Sequence, residues 1–161
     1  MEKIINKVLR TPDIYFKNLP LWDYEPQYFI SKLYGMQIRM AYYDLGDKSA
    51  EETIILTHGM SAWSYLNRRM IPPLVNTGYR VILFDQVGCG RSDKPIQEKD
   101  YTYERHIGWN VDLLINFLKI KDSTIILQDW GGLIGLRVVA AHPSAFRRLI
   151  IANTMLPTCD D

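Results

Sequence analysis

The sequence predicts an α/β domain on a mostly parallel sheet, entered through an N-terminal hairpin. Four short, continuous and largely β-branched runs, Thr53–Thr57, Arg80–Phe84, Ser123–Leu127 and Arg148–Ala152, alternate with segments of helical character. Runs of that kind suit strands covered on both faces, and strand–helix alternation is the signature of a parallel sheet. Ahead of them, Gln37–Leu45 alternates in polarity, and Tyr28–Leu33 stands across a turn at Tyr34-Gly35-Met36, as paired antiparallel strands would. Hydrophobic residues at 47% and charged residues at 23% supply a buried core and argue against disorder.

Taken in order, residues 1–26 are rich in Pro and aromatics (Pro12, Tyr15, Phe16, Pro20, Trp22, Tyr24, Pro26) and read as an irregular arm lying on the domain. The hairpin follows, then a polar loop at Gly46–Glu52 and the first parallel strand. Ala62–Thr77, His106–Leu118 and Leu133–Ala141 read as the helices between strands, from apolar residues at three- and four-residue spacing or, in the last, from a glycine pair ahead of it. No internal repeat or low-complexity stretch is visible, and 161 residues suit one domain.

Charge and cysteine content remove several function classes. Nineteen Lys+Arg against eighteen Asp+Glu leave +1, too balanced for a protein that grips nucleic acid through phosphates. Two cysteines, Cys89 and Cys159, are too few for a disulfide scaffold and fit a reducing, cytoplasmic setting. The N-terminal residues break every apolar run and do not resemble a signal peptide, and no run of about 18 apolar residues offers a membrane span.

In such sheets chemistry gathers at the carboxyl ends of the strands. There, Leu127-Gln128-Asp129-Trp130-Gly131-Gly132 runs from strand straight into helix, the form of a nucleophile elbow with Asp129 at the reactive position. An aspartate is already anionic at neutral pH and needs no base to become a nucleophile. It suits attack on an sp3 carbon bearing a leaving group, giving a covalent ester. The bland alternative is a helix cap, for which Asp is also favoured. Gly131-Gly132-Leu-Ile-Gly135 is not a dinucleotide loop, because Trp130 interrupts Gly-x-Gly-x-x-Gly and no acidic residue ends the next strand.

His58-Gly59-Met60 follows the first parallel strand, where Gly59 lets the chain curl so that the Met60 N–H points toward the elbow. With the Trp130 N–H it would form an oxyanion hole. His58 reads as a loop support rather than a base. Asp85-Gln-Val-Gly-Cys-Gly-Arg-Ser-Asp-Lys-Pro95 reads as a self-bonded scaffold loop, with Cys89 an inert thiol. Trp130 has two readings, a large core residue or, directly after Asp129, an indole N–H that can donate to a leaving halide, whereas Trp22, Trp63 and Trp109 read as packing residues.

These residues resemble the N-terminal part of a haloalkane dehalogenase, of the α/β-hydrolase superfamily. The resemblance runs through Arg10-Thr-Pro-Asp-Ile-Tyr-Phe16, His58-Gly59, Trp63-Ser64-Tyr65-Leu66, Arg91-Ser-Asp-Lys-Pro95, Gln128-Asp-Trp-Gly-Gly132 and Ala152-Asn-Thr-Met-Leu-Pro-Thr158. It implies an α/β-hydrolase fold with Asp129 as nucleophile, Trp130 as halide donor, and the N–H groups of Met60 and Trp130 as the oxyanion hole. The implied reaction converts a small haloalkane and water to alcohol and halide, without metal or cofactor. Epoxide hydrolases share Asp-Trp-Gly-Gly and are the rival. Two departures stand out: Ser61 replaces the family's usual Pro, and Met60 replaces its frequent Glu or Asn. Met60 places the chain in the branch that takes its second halide donor from a Trp of the cap.

In that superfamily the acid and base of the triad lie beyond the sixth of eight strands. The sequence is therefore expected to hold a core cut after about the sixth strand, 1–161, without cap domain, last strands, general acid or general base. None of His58, His106 and His142 suits the late base. Two readings of different classes follow: a fragment of an active dehalogenase, and a catalytically incomplete protein acting as a binding or complementing half.

Overall fold

The computed structural model describes residues 8–155, so readings that fall on Met1–Lys7, Leu156–Thr158 and Cys159 lie outside the described residues. The strands are β1 (Val8–Leu9), β2 (Gln27–Ser31), β3 (Ile38–Leu45), β4 (Thr53–Leu56), β5 (Arg80–Phe84), β6 (Lys94–Pro95), β7 (Ser123–Gln128) and β8 (Phe146–Ala152). Six of them form one sheet in the order β2-β3-β5-β4-β7-β8, and β1 pairs with β6 as a separate two-stranded ribbon. β3 runs antiparallel to both its neighbours, while β5, β4, β7 and β8 are mutually parallel. The expected hairpin and mostly parallel sheet are both present.

In β4, β5 and β7 the continuous apolar runs have the cause the sequence suggests, burial on both faces. Ile55, Ile82, Phe84, Ile125 and Leu127 point into one core with Trp109 and Leu113. Ile54, Leu56, Val81 and Leu83 point into the other with Trp22, Tyr43 and Ile71. Side chains alternate between the two faces, so most residues of β4, β5 and β7 are core residues. Arg148–Ala152 departs from the expectation, because β8 is an edge strand among the described residues and its Leu149–Ile151 stand exposed.

Helices α1 (Ile71–Asn76), α2 (Tyr103–Val111) and α3 (Asp129–Ala141) flank the sheet. One expectation needs correction: Ala62–Thr77 is not a single helix. It divides into a 3-10 turn at Ser64–Asn67 and the short α1. Pro72 and Pro73 have no N–H to give and are accommodated only in a first helical turn, so they start a new helix. α2 also begins earlier than expected, at Tyr103, because the Thr102 hydroxyl accepts the Arg105 N–H at 3.2 Å and caps it. It runs on into a wide π-type turn, Asp112–Phe117.

The arm is held by specific contacts. Trp22 meets Tyr43 and Trp63 edge-on, with ring centroids 5.0 and 5.3 Å apart. The Arg10 guanidinium grips the buried Asp93 carboxylate at 2.6 and 3.2 Å, and the Tyr65 hydroxyl donates to the Pro20 carbonyl at 3.0 Å. At the other side of the sheet, β8 pairs among the described residues only with β7, and Leu149, Ile150 and Ile151 stand 40%, 50% and 56% exposed. Among the described residues no helix is long and apolar enough to cross a membrane.

Ile55 is fully buried on the central strand β4. Ile55→Ala is expected to cost about 2–5 kcal/mol, read as a lower urea midpoint with an unchanged slope.

Candidate active site

β7 turns into α3 at Asp129 with no intervening loop. The turn is possible because Asp129 adopts φ 51°, the left-handed region, which costs a non-glycine residue about 1–3 kcal/mol. Three hydrogen bonds hold it there. The Asp129 N–H donates to the Asn153 carbonyl at 3.0 Å, and its carbonyl accepts from the Thr154 hydroxyl at 2.7 Å. Its Oδ1 accepts the Met60 N–H at 2.7 Å. The carboxylate caps no α3 backbone N–H beyond its neighbour Trp130, so capping is not its main role.

The surrounding glycines are there for space. A Cβ on Gly59 would press on the Asp129 carboxylate, one on Gly131 on Thr57 and the His58 carbonyl, and one on Gly132 on Thr154. Hydrogen bonds from the Trp130 and Met60 N–H groups hold the Asp129 carboxyl below its ordinary range, against a smaller opposing effect of burial. The carboxylate is thus held by backbone donors, Oδ1 by the Met60 N–H, on a group kept ionised.

Trp130 lies in the first turn of α3, 41% exposed, with Tyr103 edge-on to it at 6.5 Å; the Tyr103 hydroxyl is anchored on the Leu133 carbonyl at 2.6 Å. His58 is buried, and both its ring nitrogens are engaged. Nε2 accepts the Gln86 N–H at 2.9 Å, which leaves the proton on Nδ1, 2.9 Å from the Gly59 carbonyl. Burial pushes its pKa down, and it stays neutral. His58 therefore ties the β4 loop to the β5 loop, the support role read from the sequence. Asp85 supports the same region: it accepts from the Ser64 N–H and hydroxyl at 2.9 and 2.6 Å and from the Arg91 N–H at 2.8 Å.

Ser61 sits at φ 58°, which a proline ring, locked near φ −65°, cannot reach. The β4 loop thus follows a path closed to the Pro usual in the resembled family. Cys89 shares a cleft with His58 and His106 that their sequence positions do not suggest, and burial raises its thiol pKa. His142 lies at the far end of α3, as its C-cap residue. Two participants were missed as such, Asn153 and Thr154. They stand out in the sequence only as part of the Ala-Asn-Thr segment, and the contacts that define them span 24 and 25 residues.

A family model described as the alpha/beta hydrolase fold matches residues 52–161. The chain belongs to this family. Within it, the chain is 46% identical over 155 residues to a haloalkane dehalogenase of Psychrobacter cryohalolentis, covering 96% of this chain and 50% of that protein. The solved tetrameric haloalkane dehalogenase of Paraglaciecola agarilytica superposes with a TM-score of 0.90 at 41% identity, over 94% of this chain and 50% of that one. An epoxide hydrolase structure from hot-environment metagenomes follows at TM-score 0.71 and 29% identity, over 86% and 45%. The chain spans about half the length of these relatives. The likeness to haloalkane dehalogenases read from the motifs thus holds across nearly the whole of this α/β-hydrolase chain.

Two outcomes follow from the geometry. Thr154→Val leaves the Asp129 carbonyl without its partner and should lower stability by about 1 kcal/mol in urea unfolding, while Thr154→Ser keeps it. His106 is driven from 6.5 to about 4 by burial and by repulsion from His58. As its folded pKa is depressed, the unfolded chain binds the proton first, and stability held above pH 6.5 is lost as pH falls toward 4. His106 contributes about 3 kcal/mol to that loss, with His58 acting in the same direction. Unfolding midpoints across this range should fall, and fall less steeply in His106→Phe.

Proposed function

We propose that the chain carries the nucleophile-bearing part of a hydrolytic dehalogenase acting on small haloalkanes. The observation that carries the reading is the fixed carboxylate oxygen, Asp129 Oδ1, 2.7 Å from the Met60 nitrogen, and the attack is assigned to Oδ2. Oδ2 attacks the carbon bearing the halogen, the O–C bond forms as the C–halogen bond breaks, and the halide leaves with the bonding pair. The product is an alkyl ester of Asp129 with Oδ1 as its carbonyl oxygen. When water then adds to that carbonyl carbon, the negative charge develops on Oδ1, where the Met60 N–H already stands. The Trp130 indole N–H is assigned to the departing halide.

Water activation belongs outside this set of residues. Both His58 nitrogens are committed to the backbone, His106 lies among aromatic rings and His142 at the other end of α3. The chain alone is expected to alkylate and stop, and the activity of a whole protein needs an acid, a base and a cap from elsewhere.

A second reading, opening of an epoxide by the same carboxylate, draws support from the 29% identity to an epoxide hydrolase. Incubation with dibromoethane followed by intact-mass measurement should show a persistent bromoethyl adduct, mapped to Asp129 and absent in Asp129→Asn. Folded protein of unchanged mass would remove the dehalogenase reading. An adduct from an epoxide with none from a haloalkane would transfer the assignment to the rival.

A further inference from the structure

Beside Asp129 a cleft of about 300 Å³ runs inward from a rim formed by Met60 and Trp130. These two residues supply the N–H groups that hold the Asp129 carboxylate, so the cleft opens beside it. Val87, Ile134, Gln86 and His106 also line it, and the Gln86 amide and His106 Nδ1 are buried where Met60 and Trp130 are exposed. Gln86 is 95% buried by its 5% exposure, and its backbone N–H is fixed on His58. Yet both polar atoms of its side-chain amide lack a partner, as does Nδ1 of His106. Buried amides are almost always hydrogen-bonded, and an unpaired one is costly. The buried part of this mostly apolar cleft thus holds one donor and one acceptor from Gln86, together with an imidazole that burial keeps neutral.

We infer that Gln86 and His106 form a recognition site for a neutral hydrogen-bonding group at the far end of the substrate, such as the hydroxyl of an ω-hydroxyhaloalkane. An ionised terminus would enter an apolar cleft with no counter-charge and is rejected. An unsubstituted alkyl end leaves the Gln86 amide unpaired and binds less well. The inference rests on Asp129 being the nucleophile, and the measurements separate the two.

Alkylation of Asp129 is followed by mass at rising concentration for bromoalkanes of increasing length and for their ω-hydroxy counterparts. At the length that spans the cleft, the hydroxy compound should half-saturate about tenfold lower, the worth of one hydrogen bond to a group otherwise unpaired. In Gln86→Leu the preference should vanish, while alkylation by the plain bromoalkane persists; His106→Phe, expected to reduce it, serves if the first variant misfolds. Equal half-saturation at every length overturns the proposal and leaves the cleft filled by water alone. A preference that survives in Gln86→Leu overturns it as well. Independently of any alkylation, butanol should shift the Gln86 side-chain amide resonances saturably, and their failure to move would be decisive against the site. Folded protein that is alkylated by neither series, with those resonances still responding, instead dismisses the nucleophile and keeps the recognition site.

Discussion

The left-handed backbone of Asp129 is the constraint around which the site is arranged. A non-glycine residue at φ 51° is held only by its surroundings, and here the hold comes from both sides of β7. β4 and β8 flank that strand. The loop after β4 delivers the Met60 N–H to Oδ1, and the chain leaving β8 delivers the Asn153 carbonyl and the Thr154 hydroxyl to the backbone of the same residue. Strand order is thus a chemical instruction, since only a neighbour on each side can put donors and acceptors around one turn. Glycines at 59, 131 and 132 complete it by removing the side chains that would keep these segments apart.

The electrostatics divide at the same place. On one side, backbone N–H groups favour the anionic form of Asp129 without bringing a cation near it. A neighbouring Lys or Arg would also keep the carboxylate ionised, but by binding it in place of the electrophile. On the other side, burial keeps His58 and His106 neutral, and hydrogen bonding to Gln86 fixes which nitrogen of His58 carries the proton. A rim that anchors a charge and an interior that tolerates none suit a reaction whose reactant is neutral and whose leaving group must depart.

What the sequence revealed follows from the range of each interaction. The parallel strands were legible because runs such as Val81-Ile-Leu-Phe84 have no polar face, which only two-sided burial explains. The elbow was legible because strand, Asp129, Trp130 and the glycine pair are contiguous. Ala62–Thr77 misled because apolar spacing ignores what Pro72-Pro73 does to a hydrogen-bond ladder. The Thr154–Asp129 bond and the gathering of Gln86, Cys89 and His106 in one cleft were hidden, because they join segments that only the folded sheet brings together. The left-handed Ser61 was hidden too, since nothing in its residue type demands that conformation.

The remaining tension lies along β8. At its start, Arg147 is paired with Asp122 and Arg148 with Glu52, so this end of the edge strand carries charge that is already engaged. The next three residues, Leu149-Ile150-Ile151, carry none and stand half exposed. Edge strands are ordinarily protected by charge, proline or cover, and this stretch has none of the three among the described residues. It leads directly into Asn153 and Thr154. The elbow therefore takes two of its three anchors from the least protected strand of the sheet, and the geometry of Asp129 is only as firm as the strand that precedes them. In relatives twice as long there is chain enough to cover that edge. Cover laid along β8 would steady the clamp on the nucleophile without touching the nucleophile itself.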